Sequence, residues 1–271
     1  MLDWAARNTT DHTVSRSRRQ IKKRPDPLSY QKRGYRAMVD GKGLVSFQVC
    51  LRETDLHLLA PADCSVRVME HVVRLRNQLE NRIAAQPAFL TSLVPLEADP
   101  LAPPIVRDML RASAAAGVGP MAAVAGAVAE HVGAALVREF GFAEIVVENG
   151  GDIYLQRAED CRVAIFAGPS PLSNRIGLLL RASAMPCGVC TSSATVGHSL
   201  SLGTADAVTV VAPSTSLADA AATWIGNAAK GADGVRQALD AAKAIKGISG
   251  VVVVMGERLG AWGEVELIEI G

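Results

Sequence analysis

The chain has 271 residues, 49% of them hydrophobic and 20% charged, which is enough apolar side chain for a packed core and excludes a disordered or collagen-like polymer. Only 4% are aromatic, so Ala, Val, Leu and Ile must build that core, and a base-stacking platform for single-stranded nucleic acid is disfavoured. The formal charge of +1 conceals a basic head: residues 1–36 hold ten Lys or Arg against three Asp, and the remainder is net acidic.

The head lacks apolar periodicity and ends near Pro25-Asp26-Pro27. It reads as a solvated basic tail over residues 1–28, followed by a single domain over 29–271. Arg18-Arg19 is not followed by the apolar run an export signal needs, and five cysteines make a poor disulfide framework, so a cytoplasmic protein is expected. Gly43 to Leu51 alternates Val45, Phe47, Val49 and Leu51 on one side and predicts a strand; Asp55 to Ala60 predicts a second. Val68, Val72, Leu75, Leu79 and Ile83 recur at helical spacing within Val66 to Ala84. After a proline-rich stretch, Ile105 to Ala115 resumes that spacing. A further helix starts at Pro120 and ends at Gly141.

Ala112 to Val137 is apolar enough to raise the question of a membrane span, but Pro120, Glu130 and His131 interrupt it, and a core helix is expected instead. Its small residues, Gly126 and Gly133 among them, would let other backbone approach closely. Strands are predicted around Val146-Val147, at Ile153 to Leu155, Val163 to Ala167, Ile176 to Leu180 and Val208 to Val211. Helices follow at Leu217 to Gly226 and Gly234 to Ala244, then strands at Val251 to Met255 and Val265 to Ile270. Strands in succession rather than strict βαβ alternation predict an α+β fold, a mixed and largely antiparallel sheet packed with helices.

Four constellations carry possible chemistry. Gly117-Val118-Gly119-Pro120 is a turn before a helix, either an anion site or a plain corner. Asn149-Gly150-Gly151-Asp152-Ile153 follows a strand and sets an amide and a carboxylate beside two glycines; a simple hairpin fits equally. Asp219 and Thr223 stand four residues apart on one helical face and offer oxygen ligands suited to Mg²⁺, unless Asp219 merely stabilises its own helix start with Ser216. In the run Cys187-Gly188-Val189-Cys190-Thr191-Ser192-Ser193 the lone Cys-x-x-Cys could be a redox pair or half a zinc site but has no second pair to join, and Thr191, Ser192 and Ser193 read instead as short polar groups beside a ligand. His198, after Gly197, is a structural histidine or a general base.

Taken in order, these segments resemble the ApbE superfamily of flavin transferases, and more closely a bacterial and archaeal branch of it. Asn149 to Ile153, Thr191 to Ser193, Val208 to Val210, and Ala218-Asp219 with Thr223 carry the resemblance over roughly residues 110 to 230. It implies FAD or FMN as ligand, Mg²⁺ held by Asp219 and Thr223, a cleft shaped by Asn149 to Asp152, His198 as proton acceptor, and an acceptor protein that receives FMN. No nucleic-acid or membrane partner is implied; a homo-oligomer remains open. Where the superfamily carries His-Ile-Ile-Asp-Pro-x-Thr-Gly, this chain has Gly197-His198-Ser199-Leu200-Ser201-Leu202-Gly203. The histidine and a later glycine are kept and the Asp-Pro pair is not. Both an Mg²⁺-dependent transferase and a non-catalytic flavin-binding or maturation protein therefore stay open.

Overall fold

The computed structural model describes residues 43–195 and 202–270. The basic head lies outside the described residues, as do Gly197, His198 and Ser199. The chain opens with a hairpin, β1 (Val45–Leu51) and β2 (Thr54–Ala60), then runs through α1 (Ser65–Ala85), α2 (Ala88–Thr91), α3 (Pro104–Ala116) and α4 (Val124–Phe140). It continues through β3 (Ile145–Asn149), β4 (Asp152–Gln156), β5 (Cys161–Ala164), β6 (Ile176–Leu180), β7 (Cys187–Ser192) and β8 (Ala207–Ala212). Helices α5 (Thr215–Ala228) and α6 (Gly234–Lys243) and strands β9 (Gly250–Met255), β10 (Arg258–Gly263) and β11 (Glu266–Glu269) complete it.

The fold is α+β. Eight strands form one sheet in the order β1-β2-β3-β4-β7-β8-β9-β10, and β11-β6-β5 form a second; every described pairing is antiparallel. Period-two alternation sorts the large sheet's side chains between two covers. Leu56, Leu58, Ile145, Val147 and Tyr154 pack under α1, α3 and α4. Val208, Val210, Val251 and Val253 pack under α5 and α6. The odd partners, among them Val146, Ile153, Leu155, Val189 and Val211, face the small sheet.

The apolar stretch Pro120–Phe140 is long enough to cross a bilayer, yet 56% of its most apolar window is buried inside the protein. Its glycines explain how it packs. A Cβ on Gly133 would sit 2.2 Å from the Tyr154 ring, and one on Gly126 would sit 2.4 Å from the Thr215 carbonyl oxygen. Glu130 turns the same helix toward α5: its carboxylate accepts from the Ser216 N–H (2.9 Å), the Ser216 hydroxyl (2.9 Å) and the Ser214 hydroxyl (3.2 Å). With Ser214 accepting from the Leu217 N–H at 3.3 Å, the start of α5 is capped from two sides.

Three elements differ from the expectation. Cys187–Ser192 is a strand inside the large sheet, where no element was expected. Arg258–Gly263 is an edge strand whose glycines hide its alternation. Gly260 is needed because a Cβ there would lie 2.5 Å from Val235 of α6. The helix expected from Pro120 begins as a short 3-10 turn, Pro120–Ala123, before α4 proper.

Candidate functional site

One end of the large sheet gathers most of the residues singled out above. The β3–β4 hairpin turns on Gly150 (φ 71°) and Gly151 (φ 106°), positive angles that side chains disfavour and a two-residue hairpin needs. Gly151 N–H donates to Glu148 Oε1 at 2.8 Å, which fixes the turn. Asn149 and Asp152 are register partners across that turn, so both side chains project to the helix-covered face. The hairpin reading and the site reading of this motif are thus compatible.

Above the hairpin lies the first turn of α4. Asn149 Nδ2 donates to the Ala125 carbonyl at 3.1 Å, and Gly126 N–H donates to Asp219 Oδ2 at 2.9 Å. Asp219 does not serve its own helix start; Ser214 and Glu130 do that. It reaches across to the amides of Ala125 and Gly126, which a helix N-terminus leaves without intrahelical partners. Asp152, a buried side chain, faces the same corner.

Burial drives both carboxyls toward their neutral forms. Asp219 is pushed up to about 7, partly opposed by the Gly126 and Ala125 amides. Asp152 is raised well above the usual carboxylate range by burial, by the Asp219 charge and by Glu148, against the Cys190 thiol and the Thr191 N–H that bond it. Cys190, Asp152's register partner, places its thiol 3.4 Å from the Thr215 carbonyl. Burial and the two carboxylates push that thiol up, so it serves as a neutral donor.

The pH dependence follows in sign. A carboxyl whose folded pKa exceeds its unfolded value, near 3.9, stabilises the fold at low pH and loses that contribution as pH rises through the folded value. Carboxylates held in ion pairs run the other way: Asp99, Asp108 and Glu139 are lowered by Arg82, His131 and Arg67 respectively, and their contributions are lost only on acidification.

Between pH 5 and 8 the Asp152–Asp219 pair therefore sets the trend: in metal-free buffer the melting temperature is expected to fall as pH rises across that window. Asp152→Asn, which removes one of the two charges, is expected to flatten the fall and to raise the melting temperature at pH 8. Thermal scans at a series of pH values check this, and a wild-type profile that climbs from pH 5 to 8 would contradict it.

The remaining expected site residues fall around this corner. Thr191 contributes its N–H to Asp152, but its hydroxyl points to the opposite sheet face, 2.9 Å from the Thr209 hydroxyl. Ser192 faces α5, with its Oγ 3.2 Å from where a Gly226 side chain would begin. Ser193 closes the strand and bonds Thr195. Thr223, partly buried, lies one helical turn beyond Asp219 on α5. Gly117 ends α3 in the left-handed region (φ 76°), and its N–H donates to the Ser113 carbonyl at 2.9 Å. A Cβ on Gly119 would lie 1.7 Å from the Ser92 carbonyl oxygen, so close packing already requires that glycine. Both sit just ahead of the turn that leads into α4.

Cys187 and Cys190 do not form a thiol pair. Three residues apart in a strand, they fall on opposite faces of the sheet: Cys187 packs toward the small sheet and Cys190 toward α5. Among the described residues no three His, Cys, Asp or Glu side chains group to hold a metal ion. A cation in this corner would rest on two carboxylates and on oxygens of a ligand, a set that suits Mg²⁺. Sequence reasoning did not find Cys190 or the Ala125–Gly126 amides as parts of the corner. The small residues of α4 were the available signal.

A family model described as AbpE bacteria matches residues 36–267. The chain belongs to this family. Relatives of this AbpE bacteria member include a UPF0280 protein of Methanococcus aeolicus, 42% identical over 227 residues, covering 82% of this chain and 91% of that one. Another, from Methanocaldococcus jannaschii, is 41% identical over 229 residues, covering 82% and 92%. Among solved structures, the flavin transferase ApbE from Vibrio cholerae is similar at a TM-score of 0.55 and 14% identity, over 81% of this chain and 96% of that chain. The apo form of the Pseudomonas stutzeri flavinyl transferase ApbE is similar at 0.51 and 15%, over 81% and 94%. The chain thus shares the fold of the ApbE structures.

Proposed function

We propose that this protein binds a flavin nucleotide, FAD or FMN, at the corner between the β3–β4 hairpin, α4 and α5, and that it transfers FMN from FAD to a hydroxyl of an acceptor protein. The convergence of Asn149 and Asp219 on the first turn of α4, with Asp152 beside Asp219, supports this reading. Two buried carboxyls, Asp152 held neutral in part by the Asp219 charge, form an incomplete cation site, and a diphosphate supplies the missing oxygens. Asp219 and Asp152, with Thr223 beside them, would hold Mg²⁺, which supplies positive charge to the phosphoanhydride as it breaks.

The chain's own residues do the rest. The side-chain-free turn Gly150-Gly151 leaves room at the rim, while Asn149, anchored to Ala125, holds the hairpin to α4. The acceptor oxygen forms a bond to the FMN phosphorus, the bond from that phosphorus to the bridging oxygen of AMP breaks, and AMP leaves with the electron pair. His198 takes the hydroxyl proton. Incubation with FAD and Mg²⁺ tests the reading, with water or an added small alcohol standing in for the acceptor hydroxyl and released AMP followed by chromatography. AMP release is expected, and His198→Ala is expected to slow it about a hundredfold or more. FAD binding without AMP release would instead leave a binding or maturation role.

A further inference from the structure

A cavity of about 460 Å³ opens between the two sheets, where the start of β7 and the end of β8 meet the end of β6 and the segment joining β10 to β11. That volume is in the range of small-molecule sites, roughly 300–1,000 Å³. Its floor is apolar: Leu180, Cys187 and Val211 belong to the core between the sheets, and Val265 packs against that core. Burial pushes the Cys187 thiol up to about 11, so the floor carries no charge at neutral pH.

The rim is polar and held in place. Asp160 accepts from the Ala182 N–H at 2.9 Å and fixes the turn Ala182–Ala184, which supplies Ser183 and Ala184 to the lining. Glu264 N–H donates to the Ser249 carbonyl at 2.8 Å. Gly263 (φ 86°) allows that approach, because a Cβ there would lie 2.4 Å from the same oxygen. Arg181 is the one cationic side chain among the described residues of the lining, and Asp160 (2.8 Å) and Glu266 (2.6 Å) already hold it. Glu264, exposed on the rim, is in no ion pair among the described residues. Three carboxylates thus stand against one guanidinium.

We propose that this cavity is a binding site for a small organic cation, an amine carrying a compact apolar body. The body removes the floor from water. The ammonium meets Glu264 and Glu266 Oε1, since Arg181 takes Oε2, with the Ser183 and Ser249 hydroxyls as further acceptors. An anion fits badly. A phosphate or carboxylate would enter beside Glu264 with the guanidinium already engaged. The cavity also lies across the large sheet from the proposed flavin corner: Cys187 of its floor and Cys190 of the corner face opposite ways. It does not rest on the flavin reading.

Probes that share one ring and differ in charge test the proposal: phenethylamine, 2-phenylethanol and 3-phenylpropanoate, titrated against the full-length protein at neutral pH by saturation-transfer NMR. The amine is expected to bind about fivefold more tightly than the alcohol, the size of one or two partly exposed ion pairs, and the carboxylate not at all. Glu264→Lys, at an exposed position, is expected to weaken the amine by about fivefold or more and to let the carboxylate bind. Ala184→Trp, which enlarges an exposed lining residue, is expected to block amine and alcohol alike while the circular dichroism is kept. No binding of the amine up to about 10 mM, within reach of a ligand this small, would overturn the proposal. So would an alcohol that binds as well as the amine, or amine binding that either folded variant leaves unchanged. Displacement of the amine by FAD would overturn it too, by placing the amine in the flavin corner. The ranking of the probes on the wild type stands even if a variant fails to fold.

Discussion

Asp219→Ala is expected to weaken FAD binding in the presence of Mg²⁺ by at least tenfold, about 1.4 kcal/mol, and to make the remaining binding indifferent to the cation. The side chain has two separable tasks. As a hydrogen-bond acceptor it satisfies the Gly126 N–H at 2.9 Å, a capping interaction whose loss costs about 1 kcal/mol of stability. As a charge it forms, with Asp152, the proposed cation site. Asp219→Asn separates the two, because the amide oxygen still accepts from Gly126 while the charge is gone. It is expected to melt close to the wild type yet to show the same loss of Mg²⁺ response as alanine. An Asn variant that keeps full cation-dependent binding would assign Asp219 to the architecture alone. Titration calorimetry with and without Mg²⁺, beside thermal melts, reads both tasks.

Gly126→Ala is expected to be damaging for a different reason. The added methyl would lie 2.4 Å from the Thr215 carbonyl oxygen and 2.8 Å from Asp219 Cβ, distances that side chains do not tolerate. Neither neighbour can swing aside, since one is backbone in the first turn of α5 and the other is the first atom of a side chain on that helix. The two helices must separate. An overpacked core contact of this kind costs about 1–3 kcal/mol. In a domain of this size that corresponds to a fall in melting temperature of roughly 2–12 °C. The separation also moves Asp219 from Asp152, so FAD binding is expected to drop along with stability. A Gly126→Ala variant with unchanged melting temperature and affinity would show that α4 and α5 are not in fixed contact.

Much of this arrangement is legible in the residues. The alternation of β1 and the helical spacing of α1, α3 and α4 are strong because each buries one face on a core. The Asn149 to Asp152 motif reads correctly as a hairpin, and its two polar ends share a face because they are register partners. What is not legible is which distant element meets them. Asp219 and Gly126 are 93 residues apart, and nothing in the local pattern near Asp219 distinguishes a cap for its own helix from a cap for α4. The cysteine pair is uninformative for the opposite reason. Its spacing is that of a thiol motif on a turn or helix, whereas β7 divides it between two cores. Strand β10 escapes notice because Gly260 and Gly263 replace the side chains that would have shown its period.

The central claim is that the hairpin, α4 and α5 form a flavin-nucleotide site completed by a divalent cation. Titration calorimetry of the full-length wild type with FAD, run once with Mg²⁺ and once with a chelator, tests it most directly. Saturable binding at one site per chain, at least tenfold tighter with Mg²⁺, is the predicted result. An absence of heat with FAD and FMN under both conditions would contradict it.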